Sequence, residues 1–440
     1  MSGNWQEYVS FVEEVMAREH IAGVAVAVAE RGQVVFEQGF GYRDIEHQLP
    51  VTPDTIIGVA SVSKSFTAMA VMQLVDAGLI NVDDPVVKYL PELKLAGVLD
   101  MGTIKVRHLL SHTTGLPPMR RRQDIQTFAD HINFLQTEDY TMLGQPGEYF
   151  SYCNDTFLLL GAIIERLTGR IYRKYMTENI LDALCMYRST YSIEELTRFQ
   201  NVTVPYQYNQ QTGAWDKEPW PALGNFEVGG GVRSTVRDLL KYGEVYVSGG
   251  QYHGKQIVSA QSINAMRQPM YKSGRKTWYC FALQVTADHQ GYTLVEHGGN
   301  QVGVAANFGF VPEKGIVVAV LINTSGASAN AIWLGAVNTA LGLRLDLPRS
   351  VEPEYQATAD EVKRVLGLYR AAEGGRMRVK QVDGELMVED QEGAYPARLS
   401  SPETLAYTFK IPRVVRCYFR DGEDNAWAVL AGSRMLQRTE

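Results

Sequence analysis

Ser61-Val62-Ser63-Lys64 joins two apolar segments, Ile56-Ile57-Gly58-Val59-Ala60 before it and Ser65-Phe66-Thr67-Ala68-Met69-Ala70-Val71-Met72-Gln73-Leu74-Val75 after it. The second segment reads as a helix buried on most faces. A serine and a lysine three residues apart on a helix share one side, one turn above each other. A lysine held there out of water loses part of its preference for the charged form. It can then help take the proton from the serine hydroxyl, which is a poor nucleophile without such a neighbour. Ser-x-x-Lys is the arrangement of acyl-transfer enzymes. The spacing is common in any long chain. A second copy, Ser273-Gly274-Arg275-Lys276, lies in a polar stretch without apolar periodicity and reads as a solvated loop.

Upstream of this step, Trp5 to Arg18 places Val9, Phe11, Val12, Val15 and Met16 at helical spacing. Gly23 to Glu30 and Gln33 to Gly39 read as two strands around an Arg31-Gly32 turn. Downstream, Asn81 to Pro85 is a turn and Thr103 to Leu110 a short apolar segment. Asp155 to Leu167 is a helix, capped by Asp155 and stopped at Gly169. Tyr206 to Gly224 has the composition of a long loop. Trp278 to Val285, Tyr292 to Glu296, Ala305 to Val311 and Gly315 to Asn323 read as strands, and Ala327 to Leu343 as a helix. The N-terminal hairpin and the strands near residue 300 are expected to share one sheet, covered by helices from both ends, with a helical block between them.

Leu345 to Ala357 holds Pro348 and Pro353 among polar residues and reads as a linker. Beyond it come short alternating segments: Arg376 to Val382, Glu385 to Asp390, Ala406 to Lys410, Val414 to Phe419 and Ala426 to Leu430. They predict a small antiparallel β domain, sandwich or barrel. The expected division is a catalytic domain over 1–345, a linker over 346–360 and a β domain over 361–440.

Bulk properties narrow the function classes. The chain has 440 residues, 45% hydrophobic and 21% charged, with a net charge of −7, so it has the make-up of an ordinary soluble globular protein. Arg120-Arg121-Arg122 is too short a basic run to argue for nucleic acid or an anionic membrane. The N-terminus lacks a positive region followed by an apolar core, and Ile21 to Ala29 is too short to span a bilayer. Cys153, Cys185, Cys280 and Cys417 are far apart and make no metal-ligand spacing. Free thiols in a reducing, cytoplasmic compartment are expected, with no metal and no cofactor. A homo-oligomer stays open.

Two further patterns accompany the first. Tyr152-Cys153-Asn154 stands just before the Asp155 helix, and His297-Gly298-Gly299-Asn300 follows the strand Tyr292 to Glu296. A tyrosine at a helix entry is commonly a packing residue, and a glycine pair after a strand commonly a turn. Glycines also let a ligand approach backbone N–H groups closely.

In order and spacing, the three patterns resemble the motifs of the serine β-lactamase and penicillin-binding superfamily, most of all its class C branch, which also holds esterases and D-amino-acid-specific peptidases. Ser61-Val62-Ser63-Lys64 matches the first motif and Tyr152-Cys153-Asn154 the second. His297-Gly298-Gly299 stands at the third, where many members carry Lys-Thr-Gly. Arg107 to Leu116, Gln145 to Tyr152 and Gly229 to Leu239 agree as supporting stretches, and the likeness covers roughly residues 5–345. The fold it implies is α+β: an antiparallel sheet flanked by helices, plus a helical subdomain. Gly367-Leu368-Tyr369 and the strands after it are similar to the lipocalin-like β domain appended to some peptidase members.

The resemblance also implies roles. Ser61 attacks a carbonyl and forms an acyl-enzyme. Lys64 and Tyr152 manage its proton, with either one as the base. Asn154 holds Lys64 and the substrate amide. The oxyanion sits between the N–H of Ser61 and that of Asn300, beside Gly298 and Gly299. His297 departs from the lysine of many members. It is largely neutral at pH 7, so it gives a substrate carboxylate no standing charge. Small esters, amides or short peptides are therefore the expected substrates. A penicillin-binding protein or β-lactamase proper is one alternative, and a scaffold protein with an idle site another. His112 could suggest a Ser-His-Asp triad, but the chain has no Gly-x-Ser-x-Gly elbow.

Overall fold

Successive residues of the first strand already separate the two faces of the main sheet. In a computed structural model describing residues 4–122, 124–409 and 411–440, β1 (Gly23–Glu30) turns Val24, Val26 and Val28 to one side and Ala25, Ala27 and Ala29 to the other. The valines pack with Tyr8, Val12 and Val15 of α1 (Trp5–Glu19) and with Ile332, Trp333, Ala336 and Val337 of a late helix (Ala329–Ala340). The alanines face the larger core formed with the helical block. Both chain ends of this unit thus cover one face, as the sequence predicts.

β1 is flanked by β2 (Gln33–Asp44), whose end turns back on β3 (Leu49–Pro50). The remaining strands come from residues 271–322: β4 (Tyr271–Lys272), β5 (Thr277–Tyr279), β6 (Gln284–His289), β7 (Tyr292–Gln301), β8 (Val304–Val311) and β9 (Ile316–Ile322). They complete a nine-stranded sheet in the order β4-β5-β6-β7-β8-β9-β1-β2-β3, antiparallel at every pairing. On the alanine side α4 (Val236–Val247) packs on the sheet, and α2 (Ser63–Asp76) and α3 (Asn154–Thr168) share the same core.

Several local readings need correction. Trp278 to Val285 is not one strand: Ala282 adopts φ +51° and the chain folds back between Tyr279 and Gln284. The stretch Tyr206 to Gly224 contains a hairpin, Tyr206–Asn209 with Ala214–Lys217. Asp155 does not cap its helix. Cys153 holds the cap position, Asn154 starts the helix, and the Asp155 side chain is buried. The glycines after Glu296 form no turn and continue β7 to Gln301.

The C-terminal segments close into an eight-stranded barrel: β10 (Gly367–Arg370), β11 (Arg376–Val382), β12 (Glu385–Glu389), β13 (Ala394–Ser401), β14 (Thr404–Phe409), β15 (Ile411–Tyr418), β16 (Ala428–Ala431) and β17 (Arg434–Arg438). A barrel, rather than a sandwich, resolves the alternative. Closure removes the open sheet edges such short strands would otherwise leave. The interior is filled by its own side chains, among them Tyr369, Val388, Leu405 and Val429. A separate cluster joins the barrel to the catalytic unit, with Phe150, Tyr152 and Tyr279 on one side and Tyr418, Trp427, Leu430 and Met435 on the other.

Candidate active site

Ser61 does not lie on the helix itself but in a single 3-10 turn, Ala60–Val62, that feeds α2. Ala60, just before it, is fully buried with φ +47°. An alanine in the left-handed region costs about 1–2 kcal/mol, and such strain persists only where the surroundings enforce it. The surroundings here are β7. A Cβ on Gly299 would lie 2.2 Å from the Val59 carbonyl oxygen and 3.1 Å from the Ser61 nitrogen. Only glycine lets this strand press against the turn.

Lys64 is 1% exposed. Its Nζ is 3.4 Å from Ser61 Oγ and donates to the Gly229 carbonyl at 2.9 Å. A Cβ at Gly229 would come within 3.0 Å of that nitrogen. The expected bond from Asn154 to Lys64 is not made, and the Gly229 carbonyl takes its place. Burial first, then the Arg434 guanidinium, holds the Lys64 ammonium well below the usual lysine range, while Asp155 and Cys153 oppose the shift.

Tyr152 enters from the extended segment before α3, with its ring 4.9 Å from Lys64 Nζ. Its buried hydroxyl makes no full hydrogen bond among the described residues, and Ser61 is the side chain that faces it. Burial pushes the phenol up to about 12, with Ser61 and Arg434 pulling the other way. His112, at φ +55°, packs against Tyr152 with ring centres 4.0 Å apart and planes tilted by 30°, and its Nδ1 lies 3.0 Å from the Cys153 carbonyl oxygen. It buttresses the tyrosine and does not form a triad.

The third motif is built differently from expectation. His297 Nδ1 is 2.6 Å from the Gly298 carbonyl oxygen, and Nε2 is 3.1 Å from the Tyr279 hydroxyl. A carbonyl accepts only, so Nδ1 carries the proton and Nε2 accepts from Tyr279. Burial and the neighbouring Lys64 lower the imidazole to about 3. Both ring nitrogens are already used within the protein.

β6 pairs with β7 only as far as Glu296, so residues 297–301 are bonded on the β8 side alone. Their free edge borders a cleft of about 610 Å³ lined by Ser61, Tyr152, His297, Gly298, Gly299 and Asn300, among others. Asn300 is exposed, and its side-chain oxygen accepts from the Gly326 N–H at 3.4 Å. The second Ser-x-x-Lys copy is a loop, as read. Ser273 to Arg275 lies at the cleft mouth, and Lys276 pairs with Asp288. At the far end, Glu296 is bridged by Arg349 through two bonds of 2.8 Å.

Arg434 is the residue sequence reasoning missed. The β16–β17 turn inserts into the cleft: the Tyr152 N–H donates to the Ser433 carbonyl at 2.8 Å, and the Met435 N–H to Ser151 Oγ at 3.1 Å. The Arg434 guanidinium then lies 4.5 Å from the Tyr152 ring centre.

A serine beside a sealed lysine, a buried tyrosine and a free strand edge meet at this cleft. A family model described as Beta-lactamase matches residues 9–340. The chain belongs to the beta-lactamase family. Among curated proteins, penicillin-binding protein 4 of Amycolatopsis lactamdurans is 27% identical over 393 residues, covering 84% of this chain and 98% of that protein. Protein flp of Staphylococcus aureus is 30% identical over 191 residues, 42% of this chain but only 38% of that protein. Among solved structures, the octameric penicillin-binding protein homologue from Pyrococcus abyssi is 28% identical, with a TM-score of 0.73 over 98% of this chain and 99% of that one. SurE shares the fold at 21% identity, with a TM-score of 0.77 over 99% of both chains. The family is one of hydrolases. No described helix is long and apolar enough to cross a membrane.

Proposed function

We propose that the chain is a serine hydrolase that acts through a Ser61 acyl-enzyme on small esters, amides or short peptides, D-amino-acid peptides among them. The observation that carries this reading is the sealed Lys64 amine, 3.4 Å from Ser61 Oγ, whose charged form burial disfavours. A neutral amine is a competent base where an ammonium is not. Lys64 Nζ takes the Ser61 proton as Oγ attacks the substrate carbonyl. The oxyanion is held by the N–H groups of Ser61 and Asn300. Tyr152, whose hydroxyl has no other partner, returns a proton to the leaving group. Water then releases the acid by the reverse path. Asn154 bonds the substrate amide. His297, with Gly298 and Gly299, shapes the wall on which the substrate lies.

The neutral third motif supports substrates that need no lysine there. A reducing compartment, and so the cytoplasm, fits four free cysteines. The octameric Pyrococcus abyssi homologue supports a homo-oligomer.

The test is a fluorophosphonate probe followed by intact-mass measurement. Wild type should gain one adduct, and Ser61→Ala none. An unlabelled wild type, or equal labelling of Ser61→Ala, overturns the reading. A panel of nitrophenyl esters, D- and L-aminoacyl anilides and nitrocefin then ranks the substrate classes.

A further inference from the structure

Every motif that marks the site lies before residue 301, yet one wall of the cleft comes from the barrel. Gly432, Ser433 and Arg434 line it beside Tyr152 and Ser61. We propose that Arg434 is a positioning residue that prepares the Lys64–Tyr152 pair for proton transfer, so that the C-terminal barrel completes the reaction centre. This rests on the hydrolase reading above.

The placement is built from several sides. The hairpin is registered to the second motif by the two bonds from Tyr152 to Ser433 and from Met435 to Ser151. Arg434 Nε is held by Glu373 Oε1 at 3.0 Å, and Nη1 by Ser433 Oγ at 2.7 Å. These hold the guanidinium 4.5 Å from the Tyr152 ring centre. The third motif has no cation to offer, because His297 is neutral and both its nitrogens are occupied. Arg349 is absorbed by Glu296. Arg275 also lines the cleft, but among the described residues Arg434 is the arginine set against Tyr152 and acting on Lys64.

Its effect has one sign on both members of the pair. A fixed positive charge disfavours ammonium at Lys64 and favours phenolate at Tyr152. Whichever of the two takes the Ser61 proton, its deprotonated form is the useful one, and Arg434 favours that form. The other groups facing the pair are Asp155 and Cys153, which favour the ammonium, together with His112, His297, Tyr279 and the Ser61 hydroxyl. Glu373 tempers Arg434 from behind.

A simple clamp between domains would use the same contacts, and a pH profile separates the two roles. kcat/KM for an uncharged nitrophenyl ester is measured against pH in wild type, Arg434→Gln, Arg434→Lys and Glu373→Gln. An uncharged ester removes any effect of a lost carboxylate contact. The acid limb should move up by about 0.5–1 unit in Arg434→Gln and stay near wild type in Arg434→Lys. Glu373→Gln should move it down, and this variant carries the test if Arg434→Gln does not fold. An unmoved limb in Arg434→Gln, or in Glu373→Gln where Arg434→Gln does not fold, overturns the proposal whatever the rates. So does an Arg434→Lys limb displaced as far as that of Arg434→Gln. A wild type without turnover or Ser61 adduct instead sinks the hydrolase reading itself, and this inference with it.

Discussion

Lys64 Nζ is 2.9 Å from the Gly229 carbonyl oxygen, closer than the 3.4 Å that separates it from Ser61 Oγ. In the proposed mechanism that carbonyl holds one N–H of the amine, and the lone pair takes the serine proton. A guanidinium stays charged in proteins and cannot accept a proton. Lys64→Arg is therefore expected to lose about 10²–10⁴ in kcat/KM, no less than Lys64→Ala. Ester hydrolysis by the two variants, with circular dichroism as the folding control, checks this. An active Lys64→Arg would remove Lys64 as the base.

The same burial has a thermodynamic cost. The folded-state pKa of Lys64 is depressed by burial, so folding disfavours a proton that the unfolded chain holds up to its own higher pKa. Stability from this site therefore rises with pH up to the unfolded lysine value of about 10.4. Lys64→Met keeps the length and drops the charge. It should raise Tm at pH 7 by about 2 °C or more, and the gain should shrink as pH approaches 10. Differential scanning fluorimetry across that range reads it, and a lowered Tm at pH 7 contradicts it.

Gly299→Ala tests the contact between β7 and the nucleophile turn. The added methyl would meet the Val59 carbonyl oxygen at 2.2 Å, so strand and turn must part. An oxyanion donor displaced in this way costs about 10²–10³ in kcat. The loss should fall on kcat more than on probe-independent measures such as Tm. Wild-type kcat in Gly299→Ala would remove the close approach from the mechanism.

Acid should weaken the fold at its buried histidines, against the opposing effect of Asp155, whose carboxyl burial pushes up to about 7. His108 is lowered to about 4 and His297 to about 3, and the buried His112 and His131 are lowered too. Each stays neutral in the folded state while the unfolded chain takes up a proton near 6.5. Stability is then lost as pH falls from about 6.5 towards 3. His297→Gln should flatten this slope in a series of melts. An unchanged slope would mean that His297 is not held neutral.

The sequence was most informative where function and local structure coincide. Ser61 and Lys64 are one turn apart, so short-range spacing brought them out, whereas Tyr152 was picked out by the resemblance of Tyr152-Cys153-Asn154 to a family motif. The strand readings succeeded where valine and alanine alternate, as in β1, and failed at Ala282, where a left-handed residue breaks an apolar run. Asp155 looked like a cap because its type suits one, yet the backbone starts the helix one residue earlier and buries it. Arg434 carried no local signal at all. It lies 282 positions from Tyr152 by their numbers, and only closure of the barrel and docking of its hairpin bring the two together. The partner of Lys64 was hidden for the same reason: a backbone carbonyl leaves no mark in residue type.

The seam between barrel and catalytic unit has a practical reading. At Tyr152 and Ser433 the bond runs between main-chain atoms, which every non-proline residue shares. The side chain at 434 hangs from that seam without holding it shut alone. The hairpin tip is thus a fitting on a fixed mount. Libraries at position 433, with Gly432 kept for its φ of +61° and Arg434 kept in place, can vary what one wall of the cleft presents to a substrate without reopening the strand, helix or nucleophile turn beneath it.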